Sequence, residues 1–302
     1  MIVVFGSQEE SMIGGVCGEL QRRKAPLLWL DNAHMPASAR LYHSPDGGLE
    51  IKVDDQWLEI PPSASIYHRL GFSKFQGMDD YSEEESRFVE MECATALQNA
   101  LNAHRGLVVN PPWRSGSNAS KPYQSGLFGE FGFRTPETLV TNLPDAARVF
   151  YEALEGRVIY KSISYVRSMV QRMTEADLER LDTLANCPVQ LQEAIEGFDV
   201  RVHVVGDEVF PCRIEAEGSD YRYDKEAEIR PWELPDPWPE RCVQLARNLG
   251  LWLTGIDLRF TPEGEVVCFE ANPSPAFTWY EARTDQPITE CLCDLLQFPP
   301  AV

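Results

Sequence analysis

The chain has 302 residues, 43% hydrophobic and 25% charged, enough for a large buried core and two or three domains. With 27 basic against 47 acidic side chains the formal charge is −20, which argues against unassisted nucleic-acid binding, since that needs cations against phosphates. The opening MIVVFGS has neither a basic region nor a long apolar run, no stretch approaches the ~20 apolar residues of a membrane span, and the eight cysteines contain no C-x-x-C. They read as reduced core residues of a cytoplasmic protein.

In chain order, residues 2–5 form a short strand of the buried type and Gly6-Ser7-Gln8 turns the chain. Residues 12–23 look helical and 25–30 form a second strand, so a small α/β domain with a parallel sheet is predicted. Gly6, Gly14 and Gly15 do not make G-x-G-x-x-G, which leaves a dinucleotide site unsupported. Residues 41–60 read as one hairpin turning at Pro45-Asp46-Gly47-Gly48, and 65–70 return as a strand ending near His68-Arg69. Residues 79–103 form a long helix with acidic first turns, as the helix dipole prefers. Its stripe of Phe88, Met91, Ala94, Leu97 and Leu101 is expected to pack into the core. Residues 107–110 are a strand. The run from Pro111 to Ser117 marks a boundary, and 1–114 is predicted as an N-terminal α/β unit.

A helix over 118–131, capped by Ser117 or Asn118, carries Lys121. A strand (136–141), a helix (144–154) and a strand ending at Lys161 follow. The polar stretch 162–173 reads as a lid. Residues 115–188 make a central unit and 189–302 a C-terminal one. In the latter, 189–195 is a strand, 199–205 and 208–214 form a hairpin about Gly206-Asp207, 217–237 is loop-rich, and 239–249 and 288–296 are helices.

The chemistry concentrates in 255–281, GIDLRFTPEGEVVCFEANPSPAFTWYE. Ile256, Leu258 and Phe260 alternate with Asp257 and Arg259, so apolar and charged groups take opposite faces of a strand. Thr261-Pro262-Glu263-Gly264 is the turn. With a four-residue loop, Phe260 faces Glu265 and Asp257 faces Cys268. Glu270 is then the diagonal neighbour of Asp257, roughly 7–8 Å away. Asn272 continues the parity and Pro273 stops the strand. Asp257, Glu270 and Asn272 are all oxygen donors, which suits Mg²⁺ rather than zinc. There is no G-x-x-x-x-G-K-[ST], so a P-loop is excluded and cations for a phosphate must come from elsewhere, with Lys121 and Lys161 as candidates.

The D…E-x-N-P pattern at Asp257, Glu270, Asn272 and Pro273 resembles the metal-binding signature of ATP-grasp ligases. VQLQEAIEGFDVRVHVVGDEV, at 189–209, resembles their hinge. The resemblance covers about two thirds of the chain, from Pro111 onward, and implies an α/β (α+β) ATP-grasp fold behind a small pre-ATP-grasp domain. It implies that Gln192, Glu193, Ala194 and Ile195 line the adenine edge, mostly through backbone groups, and that Asp199 holds the ribose. It implies that Lys121 and Lys161 hold the α- and β-phosphates and that Asp257, Glu270 and Asn272 hold two Mg²⁺ ions, with Mn²⁺ as a substitute. Arg201 and Arg222, the latter in Asp220-Tyr-Arg222, match arginines facing the phosphates and acyl acceptor, and Arg213 is a further candidate.

Two branches of the family are similar. Ligases that add glutamate to a ribosomal protein share D-x-R-x-x-V-V-G-D-E-V and a later D-x-R. Graspetide (microviridin-type) ligases share the longer set: Val109-Asn110-Pro111-Pro112, N-x-x-K at Asn118 and Lys121, and G-x-x-x-P-x-T-L-V-T-N from Gly132 to Asn142. His68-Arg69 stands where that branch has paired arginines, and Ser274-Pro275-Ala276 replaces a glycine-containing run. The longer match implies an ATP-dependent ligase that activates a carboxylate as an acyl phosphate and joins it to an amine or hydroxyl, forming side-chain ester or amide crosslinks in a ribosomal precursor peptide. The alternatives are a ligase adding an amino acid to a protein tail or small acceptor, and a catalytically silent nucleotide-binding protein. ATP and the peptide are the expected partners, with a homodimer by analogy.

Overall fold

In the computed structural model, which describes residues 1–7, 9–31, 39–43, 48–53, 56–70, 78, 80–163, 170–215 and 228–300, the first strand β1 (Ile2–Phe5) is buried along its whole length. A continuous apolar strand needs cover on both faces, which a parallel sheet flanked by helices supplies. Helix α1 (Ser11–Arg22) leads to β2 (Leu27–Leu30), which pairs with β1 in parallel. The single hairpin predicted over 41–60 is instead a three-stranded antiparallel meander: β3 (Ala39–His43), β4 (Leu49–Val53) and β5 (Gln56–Ile60). β4 and β5 pair antiparallel from Val53↔Gln56 onward, and the sequence between them has neither glycine nor proline to flag a second reversal.

β6 (Ser65–His68) takes the other side of β1. Helix α2 (Glu83–Ala103) starts from Ser82, which forms a capping box with Glu85, and leads to β7 (Val108–Val109), completing the parallel order β2-β1-β6-β7. Only the C-terminal part of its predicted stripe is core. Leu97 and Leu101 are buried, but Phe88 and Met91 are 64% and 65% exposed, because the first turns of this long helix run past the core that Leu97, Ala100 and Leu101 enter.

After α3 (Pro112–Ser115) and a 3₁₀ turn, α4 (Lys121–Glu130) is capped by Ser120, whose hydroxyl accepts from Tyr123 N, rather than by Ser117 or Asn118. With Pro122 in its first turn, the helix begins at Lys121 itself. β8 (Thr138–Thr141), α5 (Pro144–Ala153), β9 (Val158–Lys161), β10 (Gln171–Arg172), α6 (Glu175–Leu178) and β11 (Val189–Glu193) build an antiparallel sheet of order β10-β9-β11-β8 with α5 against it. The predicted lid lies partly outside the described residues, and its last residues supply β10.

β12 (Phe198–Val205) and β13 (Glu208–Glu215) turn through Gly206-Asp207 as predicted, Gly206 taking a left-handed φ of 59°. β14 (Glu228–Pro231) lies in the stretch read as loop, and α7 (Trp238–Leu249), β15 (Leu253–Phe260), β16 (Val266–Asn272), α8 (Phe277–Thr284) and α9 (Ile288–Gln297) complete the chain. Counted apart from the β3–β5 meander, the third sheet is antiparallel, in the order β14-β13-β12-β15-β16. One of its faces is apolar: Val200, Val202, Val204, Ile256 and Leu258 pack on Cys242, Leu245, Ala246 and Leu249 of α7. A second core joins the two ends of the chain, with Val4, Val16 and Leu20 against Leu292 and Leu296 of α9. All eight cysteines are free thiols; most are buried, but Cys187 is exposed, contrary to the core reading. Among the described residues no helix is long and apolar enough to cross a membrane.

Candidate functional site

The face of the third sheet opposite α7 carries the charged residues. In the register, Arg201 of β12 stands opposite Asp257 of β15, and Asp257 opposite Glu270 of β16. Cross-strand partners share a face, so arginine and both carboxylates form one row. Gly255 and Asn272 make the pair two residues along, on the same face.

This register corrects the predicted one. Phe260 pairs with Val266, not Glu265, and Leu258, not Asp257, pairs with Cys268. The connection 261–265 is a residue longer than a four-residue loop, with Thr261 N bonded to Glu265 O at 3.0 Å. A bulge between Leu258 and Asp257 then absorbs Phe269 as the extra residue of β16 and restores the parity. Glu270 therefore lies directly opposite Asp257, where Cβ atoms are typically about 5 Å apart, rather than on the diagonal.

Two opposed carboxylates repel unless positive charge lies beside them, and here it does. Arg201 Nη1 donates to Asp257 Oδ1 at 2.6 Å, and Lys121 Nζ is 3.0 Å from Glu270 Oε2. The Arg201 side chain is 6% exposed, over the Tyr280 ring at 5.6 Å. It lies so close above Gly255 that an added Cβ would collide with the guanidinium. Burial pushes the Asp257 carboxyl above its ordinary pKa; Arg201 opposes this and Glu270 adds to it. A divalent cation between the carboxylates would reverse that shift. Asn272 Oδ1 accepts from Ser274 N at 2.9 Å and keeps a second lone pair. Two carboxylates and an amide on one face fit a hard, oxygen-seeking cation. Among the described residues no cluster of three or more His, Cys, Asp or Glu side chains could hold a metal ion.

A second group lies around β11. Lys161 Nζ donates to Gln192 Oε1 at 3.2 Å. Glu193, buried, accepts from Arg134 Nη2 at 2.7 and 2.8 Å and from Glu137 N at 3.3 Å. The Ala194 amide is bonded to Arg157 O at 2.9 Å. Arg259 holds Asp199 in a fork, Nε to Oδ1 and Nη2 to Oδ2, both 2.8 Å, while its Nη1 donates to Ile195 O at 2.8 Å. Arg259 thereby ties the end of β11 to the third sheet.

The structure does not bring Arg213 to this face. It pairs with Val200, which belongs to the α7 side, and lies over the Phe198 ring at 3.9 Å with an ion pair to Glu215. The two-residue turn at 206–207 already dictates that register, so the sequence contained the signal. Arg222 lies outside the described residues.

Sequence reasoning missed several residues that hold the site. Asn110, buried, donates to Leu253 O and Pro273 O at 2.6 and 2.7 Å and accepts from Trp252 N and Leu253 N at 2.7 and 3.1 Å. Its presence in V-N-P-P was the only hint. Arg69, singled out in the sequence only as standing where the graspetide branch has paired arginines, pairs with Glu10 and donates to Pro275 O at 3.1 Å. Gln124, Arg134, Gly255 and Tyr280 have no pattern in the sequence that marks them.

No family model and no curated protein matches the chain. Solved structures do. The ATP-grasp ligase PsnB, complexed with a phosphomimetic variant of minimal precursor, Mg and ADP, is 29% identical over 98% of this chain and 97% of its own, with a TM-score of 0.83. The macrocyclase MdnC of Microcystis aeruginosa MRC, bound with precursor peptide MdnA, matches in fold at a TM-score of 0.85, with 22% identity over 98% and 99% of the two chains. A Chryseobacterium gregarium RiPP-associated ATP-grasp ligase, in complex with ADP and a leader and core peptide, matches in fold at 0.85, with 20% identity over 99% and 97%. The fold is that of ATP-grasp ligases, and PsnB itself is seen complexed with Mg and ADP and with AMPPNP. Within that class the likeness, over nearly the whole chain, is to the graspetide type of ligase.

Proposed function

We propose that the chain forms ester or amide links between side chains of a ribosomally made precursor peptide. The observation that carries this reading is the row Arg201, Asp257, Glu270, with Lys121 beside it, in a fold whose relative PsnB is 29% identical. Asp257, Glu270 and Asn272 would hold Mg²⁺. When bound, the metal neutralises triphosphate charge and aligns the γ-phosphoryl group.

The chain's own residues supply the rest. Lys121 and Lys161 exchange their present partners, Glu270 and Gln192, for phosphate oxygens. Gln192 to Ile195 offer the adenine edge, and Asp199 the ribose acceptor once Arg259 yields one of its bonds. A carboxylate oxygen of the peptide attacks the γ-phosphorus and the bond to ADP breaks. Arg201 faces the resulting acyl phosphate and stabilises the charge of its transfer state. A hydroxyl or amine of the same peptide then attacks the carbonyl carbon, loses its proton, and phosphate leaves. Residues 115–188 and 189–302 are read as the two halves closing on the nucleotide, joined through 194–197, and 1–114 as the unit that precedes them.

The test uses the purified chain, ATP, Mg²⁺ and the short peptide rich in Thr, Ser, Asp and Glu expected to be encoded beside its gene. Mass spectrometry should show the loss of one water per link, only with ATP. An acceptor that gains mass indicates an amino-acid ligase instead, and a peptide unchanged while no ATP is consumed overturns the reading.

A further inference from the structure

β16 is the edge of the third sheet, so one side of its backbone meets no strand. Exposed edges invite unwanted pairing and are ordinarily covered. Two upstream segments cover this one. Arg134 forms a single parallel bridge, its amide donating to Val266 O at 3.1 Å and its carbonyl accepting from Cys268 N at 2.9 Å. Further along, the Gln124 carboxamide stands in for a strand. Its Nε2 donates to Ala271 O at 2.8 Å and its Oε1 accepts from Ala271 N at 3.3 Å.

Three observations set Gln124 apart from an ordinary packing residue. It is wholly buried at 0% exposure, where an apolar side chain fills space without needing partners. It reads the peptide groups of Ala271, which lies between Glu270 and Asn272. It is also one helical turn from Lys121 on α4, and Lys121 reaches Glu270 from the same helix face. On the far side of Asn272, the carbonyl of Pro273 is held by the amide of Asn110. Both neighbours of Asn272 are therefore gripped by buried side-chain amides from elements far upstream.

We propose that Gln124 is a positioning residue for the metal–phosphate site. It fixes the register of α4 on β16, so that Lys121, Glu270 and Asn272 keep one spacing, and Asn110 completes the clamp. The inference rests on the metal reading of Asp257, Glu270 and Asn272.

The experiment measures Mn²⁺ binding in the presence of ADP by electron paramagnetic resonance, beside the melting temperature, for wild type, Gln124→Leu, Gln124→Glu and a packing control, Phe128→Leu. Phe128 is equally buried, one turn further along α4, and makes no bond to β16. Gln124→Leu should weaken Mn²⁺ binding about tenfold, as loss of an outer partner does at other metal sites. Gln124→Glu, which keeps the bond from Ala271 N and loses the donor to Ala271 O, should weaken it less. Phe128→Leu should lower the melting temperature and leave Mn²⁺ binding unchanged. If Gln124→Leu does not fold, Gln124→Glu against Phe128→Leu carries the same comparison. A wild type that binds Mn²⁺ and ADP while the Gln124 variants bind equally well, or no worse than Phe128→Leu, overturns the clamp alone. A wild type that binds no Mn²⁺ with ADP overturns the metal reading and the clamp with it.

Discussion

The two faces of the β12–β15 pair share one backbone and do opposite work. On one side, Val200, Val202, Val204, Ile256, Leu258 and Phe260 are all buried against α7 and its neighbours. On the other, Asp199, Arg201, His203, Asp257 and Arg259 alternate with them. The apolar face is held by burial, which is non-directional and tolerates a change of shape within a volume. The charged face persists because its acids have specific cations: Arg201 for Asp257 and Arg259 for Asp199. What is gained there is a set of fixed charges, at some expense in stability, since burial lifts the Asp257 carboxyl.

That contrast is open to attack from either side. The largest expected effect lies on the charged face. Glu270→Gln keeps the shape and removes one charge, so kcat/KM for ATP-dependent linkage should fall about 10³-fold, equivalent to about 4 kcal/mol. Its melting temperature should not fall, because the pair with Lys121, about a third exposed, contributes little to stability. A large loss of stability with activity retained would reverse the assignment of the two faces.

Ile256→Ala, one residue from Asp257, should behave in the opposite way. Ile256 is fully buried, so the substitution should cost about 2–5 kcal/mol in urea denaturation. Activity per folded molecule should stay within about twofold of wild type. A loss comparable to that of Glu270→Gln would mean that the apolar face transmits to the site more than packing does.

The smallest effect concerns pH and sharpens the boundary between the faces. His203 stands on the charged side but is fully buried, and burial, then the Arg201 charge, lowers its pKa well below 6.5. His68, beneath Asn110 O, is lowered to about 4, again by burial first. Between these values and 6.5 the unfolded chain binds more protons than the native one, so stability is present at neutral pH and is lost as pH falls from 6.5 toward 4. For His68 the full loss is about 3 kcal/mol. His203→Phe should flatten the denaturation free energy across that window, and an unchanged slope would mean that native His203 takes up its proton there just as the unfolded chain does.

Much of this molecule is readable from local pattern. The β-α-β opening, the turn at Gly206-Asp207, and the alternation that puts Asp257, Glu270 and Asn272 on one face all depend on near neighbours in the chain. The meander over β3–β5 escaped because its second reversal lacks glycine and proline, and α2 misled because a stripe cannot say where the core ends. Arg213 was drawn into the site by residue type alone, although the register through the turn already paired it with Val200. The pairing of Asp199 with Arg259 and the grip of Gln124 on Ala271 join residues 60 and 147 positions apart, so no short-range pattern encodes them.

Read alone, the sequence determined which side chains are available and which share a strand face, because side-chain direction follows from a period of two. Only the tertiary structure decided how far apart the two carboxylates stand. That distance depends on a bulge one residue long and on helix α4 docking against the sheet edge. Both are settled by hydrogen-bond pairing between distant segments, for which the one-dimensional pattern carries no record.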